Sequence, residues 1–445
     1  MIAAFFPSRS GLAILTCAML ALAACQEPEF ILPGEREEVR AAVEGGTVET
    51  VEFVNQNRSI SLPSQTNNKD WAQAFGTPAN RVSNAALRAS PQLIWSTSIG
   101  DGDSRKQRIT ADPVVGGGLV YTLDAAARVS GIAPNGVVAW STDLRPALDS
   151  AGDATGGGLA YDAGTLYVSL GFGRMVALDA TTGGIRWKQK LEATGSGAPT
   201  VSGDLLYVVA GDDTGWALRT DTGRIEWQVL GTPSISNVLG APAPALTSKF
   251  AVFAFGSGDL VATFRRGGLR RWDASVTARQ SGRAAARVSD VTGSPVISGN
   301  TVFAGNHSGR IVAIRLDTGE RVWTADRGAL GPVWPVGGSV FGVTERSEII
   351  RVDANDGEII WMHKLPGFVK AKPKKRAEIY AHYGPILAGG HIITASNDGY
   401  LRFFAPQDGS VTAQVAVPDG ATTAPVVAGG TLYVVSTKGE LHAFR

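Results

Sequence analysis

Short runs of apolar residues, bounded by glycine, asparagine and aspartate, recur along the chain from about residue 92 to its end. Two of them, "GDLLYVVAG" (203–211) and "GRIVAIRL" (309–316), have the length and the β-branched and aromatic content of β-strands. The runs are separated by turn-forming residues, as in a meander of antiparallel strands. This pattern predicts an all-β fold that is built from one repeated unit.

Three windows of the repeat, 161–187, 201–227 and 297–323, align without a gap. In each window the seventh residue is aromatic and the seventeenth is alanine. The last six residues of each window begin with Thr-Gly and end in tryptophan. Such agreement at fixed positions is the signature of an internal repeat, which has to be recognised before any other feature.

Four looser copies extend the repeat. Three of them end at Trp140, Trp272 and Trp361, each with glycine four residues earlier, and the fourth (391–414) has Gln414 in the tryptophan position. Successive tryptophans are separated by 38 residues (323 to 361) up to 51 residues (272 to 323). These separations fit the four-stranded blade of a β-propeller.

The Thr-Gly part of the motif has the composition of a hairpin turn, because glycine adopts the positive φ that a tight turn requires. The tryptophan four residues later falls on the following, outer strand. Its ring is expected to cover the edge of the sheet and to pack against the neighbouring blade. The residues assigned to this structural role are Trp95, Trp140, Trp187, Trp227, Trp272, Trp323 and Trp361.

An eighth copy (427–445) stops after its third strand. The segment "PQLIWSTSIG" (91–100) begins the array with Trp95 and has no inner strands before it. An open ring would expose strand edges that invite aggregation, so this segment is expected to complete the last blade. The prediction is an eight-bladed β-propeller of four-stranded antiparallel blades, closed by an N-terminal strand in the C-terminal blade.

The first 24 residues are expected to be a lipoprotein signal peptide. One positive charge, Arg9, precedes the apolar stretch "LAILTCAMLALAA" (12–24), which is short for a membrane span and typical of a signal-peptide core. It ends in "LAAC" (22–25), which resembles the bacterial lipobox, so Cys25 is predicted to be lipidated. Cleavage at an ordinary small-residue site is the alternative. Gln26 differs from the aspartate that resembles an inner-membrane retention signal, which favours the outer membrane.

Three further segments follow the signal peptide. Residues 25–69 are interpreted as an acidic flexible tether, although the apolar "FILP" (30–33) is an alternative docking element. Residues 70–90 form a lead-in in which Trp71 is expected to be pinned to the ring, and residues 91–445 form the propeller.

Charge and cysteine content narrow the possible functions. Residues 1–24 hold one basic and no acidic residue, so their removal leaves 40 basic and 40 acidic residues. A chain with balanced charge has no field to attract nucleic acid, which is therefore not an expected partner. Cys17 lies in the removed segment, so the mature chain has no pair of cysteines for a disulfide or a metal site.

The repeat also carries a family resemblance. The phrase Ala-x-Asp-x-x-Thr-Gly-x-x-x-Trp is complete at Ala177, Asp179, Thr182, Gly183 and Trp187, and it is similar to the tryptophan-docking motif of the eight-bladed quinoprotein-like propellers. One branch of that group contains pyrroloquinoline quinone (PQQ) dehydrogenases. The other contains BamB, a family of outer-membrane assembly lipoproteins.

The enzyme branch implies a quinone stacked between a tryptophan and a disulfide of adjacent cysteines, with a calcium ion and an aspartate base. The body has no cysteine for that disulfide. Trp216 and Trp334 lie off the repeat position, where they are either channel-lining or core residues. The five histidines are scattered without metal-ligand spacing, so no catalytic, cofactor-binding or metal-binding residue is predicted.

The BamB branch implies a non-enzymatic scaffold lipoprotein of the outer-membrane β-barrel assembly (BAM) complex. Such a protein would be anchored at the periplasmic face of the outer membrane and would bind the barrel protein BamA and other BAM lipoproteins. A PQQ-dependent enzyme and a ligand-binding propeller of the periplasm are the alternatives.

Two segments resemble the BamA-contacting loops of the family. In "RVSDVTGSPV" (287–296) Arg287 and Asp290 match the family, as do Ser289, Val291 and Pro295, whereas Thr292 replaces a second acid. The companion loop, "SNVLGAPAP" (236–244), keeps the apolar pair but lacks the family's arginine. The resemblance implies that four residues bind the partner: Asp290, Arg287, Val238 and Leu239. The alternative is that the first segment is only a polar turn that enters a strand.

The segment "GFVKAKPKKRAEIYAHYG" (367–384) is the one local run of charge. A solvated surface is the first interpretation of such a run, and contact with anionic lipid or an acidic partner is the second.

Overall fold

The computed structural model describes residues 53–445, apart from residues 75, 79–81, 151, 195–196, 234–240, 277–290 and 371. Residues 54–445 form one compact unit. This unit contains eight four-stranded antiparallel sheets, and a 3-10 helix, Pro373–Lys375, is the helix found in the described part. Each sheet is one blade, so the predicted all-β, eight-bladed propeller is confirmed.

The blades follow one another along the chain, and each is numbered in chain order. Blade 1 contains β2 (Val114–Gly116), β3 (Leu119–Leu123), β4 (Arg128–Ile132) and β5 (Val138–Asp143). Blade 2 contains β6 (Gly157–Asp162), β7 (Thr165–Leu170), β8 (Arg174–Asp179) and β9 (Ile185–Lys190). Blade 3 contains β10 (Thr200–Ser202), β11 (Leu205–Val209), β12 (Thr214–Arg219) and β13 (Ile225–Leu230). Blade 4 contains β14 (Ala245–Leu246), β15 (Phe250–Ala254), β16 (Asp259–Phe264) and β17 (Arg270–Ser275).

The second half of the ring has the same plan. Blade 5 contains β18 (Val296–Ser298), β19 (Thr301–Asn306), β20 (Arg310–Arg315) and β21 (Arg321–Ala325). Blade 6 contains β22 (Trp334–Val336), β23 (Ser339–Val343), β24 (Glu348–Asp353) and β25 (Ile359–Lys364). Blade 7 contains β26 (His382–Ala388), β27 (His391–Ser396), β28 (Tyr400–Phe404) and β29 (Val411–Ala416). Blade 8 contains β30 (Val426–Ala428), β31 (Thr431–Val435), β32 (Glu440–Phe444) and β1 (Leu93–Ser98).

The first strands of successive blades contact one another and surround a central channel. The second and third strands are almost entirely buried between the neighbouring blades, which is why they are rich in β-branched and aromatic residues. Most fourth strands alternate exposed and half-buried residues because they form the outer surface of the ring.

The ring closes through β1, as predicted. This strand pairs antiparallel with β32, and the sheet order in blade 8 is β1-β32-β31-β30. The main chains of Gln92 and Arg445 extend the pairing with two hydrogen bonds, at 2.8 and 2.9 Å. Every blade therefore has four strands.

Seven of the eight joints between blades are built around a tryptophan of the repeat. Each ring lies on the glycine of the Thr-Gly turn, or its equivalent, in the following blade, and a Cβ on these glycines would come within 2.4 to 2.9 Å of the ring. Each indole Nε1 also donates a hydrogen bond to a carbonyl of the following blade. The pairs are Trp95 with Pro134 (2.9 Å), Trp140 with Ala180 (3.0 Å), Trp187 with Thr220 (2.9 Å), Trp227 with Arg265 (3.1 Å), Trp272 with Leu316 (2.7 Å), Trp323 with Ala354 (2.9 Å) and Trp361 with Pro406 (3.0 Å).

The turn that receives the ring is held by its own side chains. In blade 2 the Asp179 carboxylate accepts hydrogen bonds from the main-chain N–H groups of Thr181 and Thr182, both at 3.0 Å. Arg186 donates a further bond at 2.7 Å, and this guanidinium, together with the N–H of Thr182, lowers the pKa of Asp179 to about 2. Gly183 adopts a φ of 73°, which only glycine accepts without strain. The Asp-x-x-Thr-Gly phrase is therefore a preformed seat for the tryptophan of the preceding blade.

The alanine of the repeat is explained by the same packing. Ala177 on β8 lies opposite Trp187 on β9 and opposite Tyr167 on β7, so its small side chain lets the two rings meet across the sheet. Their centroids are 6.0 Å apart. Five other blades have such a pair, at 5.8 to 6.0 Å.

The eighth joint, between blades 7 and 8, has no tryptophan. The sequence-based assignment of Gln414 to the tryptophan position is wrong. Ala413 on β29 lies opposite Phe403, as Trp187 lies opposite Ala177, whereas Gln414 is an exposed neighbour. The strand register, with the same bulge as in the other blades, shifts the equivalence by one residue. The large ring in blade 7 is therefore on the third strand and the small residue on the fourth.

The lead-in crosses the end of the channel where the first strands of the blades end. Trp71 pairs with Val115 through two hydrogen bonds of 2.8 Å, and its ring stacks on Trp334 of blade 6 with centroids 6.2 Å apart. Other lead-in residues bind four more blades, at the first strand or at the residue that follows it, and Asn68, just before the lead-in, binds a fifth. These bonds join Ala72 to Tyr161 (2.7 Å), Gln73 to Val201 (2.7 and 3.0 Å), Pro78 to Leu246 (2.9 Å), Ala85 to Gly389 (2.8 Å) and Asn68 to Gly429 (2.8 Å).

Residues before the predicted lead-in also contact the ring. Gln56 donates its N–H to the carbonyl of Ile360 at 2.9 Å, and Arg58 forms an ion pair of 2.7 Å with Asp353. The buried guanidinium of Arg351 binds the carbonyls of Arg58 and Ser59. Within the described residues, contacts with the ring are thus present from Asn55 onward, inside the segment that the sequence assigns to the tether.

Candidate functional site

One face of the ring carries the connections between blades. Because every blade is an antiparallel meander of four strands, each fourth strand ends on the face where the next first strand begins. We call this face the inter-blade face. The two predicted partner loops belong to it, since one connects β13 to β14 and the other connects β17 to β18.

The residues predicted to bind a partner lie outside the described residues. Val238 and Leu239 fall in the segment 234–240, and Arg287 and Asp290 fall in the segment 277–290. The predicted lipidation site, Cys25, also lies outside the described part of the chain. The structure nevertheless describes where both loops return to their blades.

The two loops return to the ring side by side. The hydroxyl of Ser294, at the entry to β18, accepts the main-chain N–H of Ala243, at the entry to β14, with a distance of 2.9 Å. On the far side, Thr292 donates its hydroxyl to the carbonyl of Ala329 at 3.2 Å. A Cβ on Gly293 would lie 2.3 Å from the carbonyl oxygen of Gly331, so this entry is packed directly against the next one. The entries form a continuous inner rim on the inter-blade face.

The family-like segment 287–296 is divided by this rim. Val291 is 1% exposed and packs in the hydrophobic cluster between blades 4 and 5, and Pro295 is also buried. These two matches to the family are explained by packing. The other matched residues, Arg287, Ser289 and Asp290, lie outside the described part of the chain.

A cavity of about 330 Å³ lies at the inter-blade end of the central channel. The blade entries surround it, and Ala74 of the lead-in is among the residues that line it. The wall is mainly small side chains and main chain, with the polar side chains of Thr110, Asp112 and Ser294. The lead-in therefore fills one end of the channel, and the cavity occupies the other.

Asp112 is the acidic side chain that lines this cavity, and its pKa is shifted. Its carboxylate accepts the main-chain N–H of Ala424 at 2.8 Å and so connects the entries of blades 1 and 8. Burial raises the pKa of Asp112 to about 7, although the hydrogen bond from Ala424 favours the charged form. Close to neutral pH this carboxyl group is thus divided between its two protonation states.

Two other titratable side chains, His382 and Tyr383, line the cavity. Burial lowers the pKa of His382, whose Nε2 bonds the carbonyl oxygen of Pro366 at 2.8 Å. Burial likewise raises the pKa of the Tyr383 hydroxyl. Across the described ranges, no group of three or more His, Cys, Asp or Glu side chains is placed to hold a metal ion.

The two tryptophans of the blades that lie outside the repeat position, Trp216 and Trp334, are core residues. Trp216 is 3% exposed and packs between blades 2 and 3. Trp334 is 2% exposed and is covered by Trp71 of the lead-in. Neither ring is among the residues that line the cavity. In the described part of the chain no helix has the length and apolar character to cross a membrane.

Sequence reasoning missed Asp112 and the polar contacts of the rim. Asp112 precedes a short strand as an ordinary turn residue, and its partner Ala424 is more than 300 residues away, at the entry to another blade. No local pattern marks such a pair. The signal that could have indicated Asp112 was its position just before the first strand of a blade, which recurs in every repeat.

The chain is similar to known proteins over most of its length. Residues 125–363 match the family model described as "Outer membrane protein assembly factor BamB". The outer membrane protein assembly factor BamB of Yersinia pestis is 25% identical over 375 residues, which are 83% of this chain and 91% of that protein. Among solved structures, BamB from Moraxella catarrhalis superposes with a TM-score of 0.67 at 18% identity, covering 80% of this chain and 99% of that one. A europium-containing methanol dehydrogenase has a TM-score of 0.60 at 14% identity, covering 84% and 98%, so the fold is common to both groups.

Proposed function

The chain belongs to the BamB family of outer membrane protein assembly factors, and from this premise we propose that it is a non-enzymatic scaffold lipoprotein of the BAM complex. In this role it binds a BamA-like barrel protein on the periplasmic side and assists the folding and insertion of outer-membrane proteins. The family match carries the proposal, and the eight-bladed ring is consistent with it.

The partner contact is proposed for the inter-blade face, at Asp290 and Arg287 together with Val238 and Leu239. The hydrogen bond between Ser294 and Ala243 holds the returning ends of both loops next to each other. An apolar pair beside a charged residue is suited to anchor a partner domain, because a few central residues supply most of the affinity of an interface. Loops on a rigid scaffold are also the usual place for binding residues.

The absence of enzymatic activity is proposed from the chemistry of the channel. The sequence from residue 26 onward has no cysteine, so the disulfide on which the quinone enzymes stack their cofactor has no counterpart. The lead-in crosses one end of the channel. At the other end, the acid that lines the cavity is Asp112, and within the described residues it accepts a hydrogen bond from the N–H of Ala424 and not from a basic side chain. Purified protein should show neither quinone absorbance nor calcium-dependent alcohol oxidation, and either signal would favour the enzyme alternative.

The partner contact is tested by reversing one charge. Asp290→Arg should weaken binding to the purified periplasmic part of the BamA-like protein by about thirtyfold, equivalent to about 2 kcal/mol. Lys374→Ala, in another inter-blade connection, is the control and should bind as the parent does. The fold should persist in both variants, which thermal melts followed by circular dichroism would verify. Unchanged affinity of a folded Asp290→Arg variant would remove the contact from this loop.

The membrane anchor is proposed at Cys25, after removal of the signal peptide 1–24. Cys25→Ala should move the protein from the outer-membrane fraction to the soluble periplasmic fraction when membranes are washed with high salt. Retention of the variant in washed membranes would contradict a lipid anchor at this residue.

A further inference from the structure

The connection between β25 and β26, on the inter-blade face, contains a hairpin. Its two arms pair at Phe368 and Ile379, and the N–H of Tyr380 donates to the carbonyl of Gly367 at 2.7 Å. The 3-10 helix Pro373–Lys375 forms its tip. We call the described residues of 367–380 the basic hairpin. The local pairing fixes which side chains it presents together.

The basic hairpin concentrates positive charge. Lys370, Lys372, Lys374, Lys375 and Arg376 lie in it, and Glu378 is its one acid. The remainder of the mature chain then has 35 basic and 39 acidic residues, since 5 of 40 and 1 of 40 lie in the hairpin. The four lysines are exposed, and none of them lies within ion-pair distance of a carboxylate of the described residues. The charge of the four lysines is thus local and exposed to solvent.

Apolar side chains are exposed beside these charges. Phe368 is 47% exposed, Val369 is 39% exposed and Ile379 is 57% exposed. The guanidinium of Arg376 lies 5.0 Å from the centroid of the Phe368 ring. A run of charges that only faces water has no need of an exposed aromatic ring and two aliphatic side chains at its base. The combination is typical of segments that lie at the membrane interface.

We propose that the basic hairpin docks on an anionic phospholipid surface, with its cations at the headgroups and Phe368, Val369 and Ile379 at the acyl boundary. The composition favours lipid over an acidic protein. Protein interfaces are depleted in lysine and enriched in arginine, whereas anionic lipid surfaces bind lysine readily, and the hairpin has four lysines and one arginine. The rest of the chain is slightly acidic and is not attracted to an anionic surface. Because the hairpin connects blades 6 and 7, docking would turn this part of the inter-blade face towards the membrane.

The proposal is independent of the partner contact and of the lipid anchor, and it is tested without either. The ring closes within residues 54–445 through β1 and β32, so a chain that begins at Gln26 keeps every described contact of the propeller and lacks Cys25. This chain should bind vesicles that contain phosphatidylglycerol, should not bind vesicles of phosphatidylcholine alone, and should lose binding as salt is raised.

Matched variants separate the hairpin from total charge. Each basic residue near an anionic surface contributes about 1 kcal/mol, which is a factor of about five in affinity. The double variant Lys374→Gln with Lys375→Gln should therefore weaken vesicle binding by about thirtyfold. Lys188→Gln with Lys190→Gln removes two exposed lysines from β9 and should leave binding within about twofold of the parent. Equal losses in the two double variants would show a general charge effect and overturn the proposal.

The apolar part of the docking surface is tested with a variant and a matched control. Ile379→Ala should weaken vesicle binding several-fold, whereas Ile225→Ala, at an exposed position of β13, should not change it. Failure of the parent chain to bind anionic vesicles, together with crosslinking of position 374 to an acidic protein in cell envelopes, would assign the hairpin to a protein partner instead. Asp290→Arg should bind vesicles as the parent does, so the lipid and partner proposals fail separately.

Discussion

The seven joints with a repeat tryptophan and the single joint without one show what the motif requires. At the joint between blades 2 and 3, Trp187 has a glycine turn to lie on and a carbonyl to bind. At the joint between blades 7 and 8, the corresponding turn would have to connect β32 to β1, and these strands come from opposite ends of the array. The position opposite that missing turn is Ala413. The tryptophan is absent where its receiving turn is absent.

The joint without a tryptophan is stabilised in another way. The large side chain moves to the third strand, where Phe403 is 1% exposed. It belongs to the largest hydrophobic cluster, which is continuous through blades 6, 7, 8 and 1 and includes Trp71 of the lead-in. At five of the other joints the cluster joins two blades, whereas the joints between blades 6 and 7 and between blades 8 and 1 have a tryptophan and also share this large cluster. The joint between blades 7 and 8 thus relies on the shared core alone, without the tryptophan contact of the others.

Removing one tryptophan should produce the largest effect. Trp361 is fully buried, and Trp361→Ala should lower the free energy of unfolding by about 3 to 5 kcal/mol, because it leaves a cavity and an unpaired carbonyl at Pro406. Gln414→Ala, on the exposed side of β29, is the control and should change stability by less than about 0.5 kcal/mol. Urea unfolding measures both, and similar small losses would mean that the tryptophan joints are not the main connection between blades.

Giving the joint between blades 7 and 8 the alanine and tryptophan of the other joints should lower the stability of the protein. The double variant Phe403→Ala with Ala413→Trp recreates the alanine and tryptophan of the repeat, but the new ring has no glycine turn or carbonyl to receive it. We expect it to remain about 2 to 3 kcal/mol less stable than the parent in urea unfolding. Recovery of the parent's stability would show that the pair alone, without the receiving turn, determines the joint.

Two glycines with nearly the same backbone conformation separate strain from packing. Gly223 has a φ of 71° and a Cβ position 2.5 Å from the Trp187 ring, whereas Gly203 has a φ of 68° and open space. Gly203→Ala should cost about 1 kcal/mol through left-handed strain alone. Gly223→Ala should cost about 2 to 3 kcal/mol because it also displaces the ring. Equal costs in thermal unfolding would contradict the role of the turn as a seat.

The stability of the joint between blades 8 and 1 should also depend on pH, through Asp112. The pKa of Asp112 is about 7 in the folded protein, above that of an unfolded aspartate, so the folded state retains its proton longer. This group's contribution to stability is complete below pH 4 and is lost as pH rises to about 7, by at most about 1.4 kcal/mol per unit. Asp103 and Arg108, which form an ion pair, line an adjoining pocket together with Asp112, and Asp112→Asn leaves both in place. That variant should flatten the stability profile between pH 4 and 7, and an unchanged slope would exclude Asp112 as its source.

The contacts of the lead-in and of the basic hairpin, unlike those of the blades, could not be predicted from periodicity in the sequence. Trp71 could be expected to contact the ring, but its hydrogen-bond partners lie on the first strands of separate blades. Isolated bridges have no periodicity, so their partners cannot be read along the chain. The charge of the hairpin is visible in the sequence, but the approach of Phe368 to Ile379 requires the pairing of its arms.

The sequence by itself determined the class of fold, the number of blades, the closing strand and the role of the Thr-Gly-x-x-x-Trp motif. These properties follow from local periodicity, because each blade repeats the same turn, small residue and ring at nearly constant spacing. Only the tertiary structure decided the register that places Ala413 opposite Phe403, the course of the lead-in across the channel and the contact of Asp112 with Ala424. Each of these joins residues that are distant in the chain, or depends on a one-residue shift in strand pairing, and neither leaves a local signal.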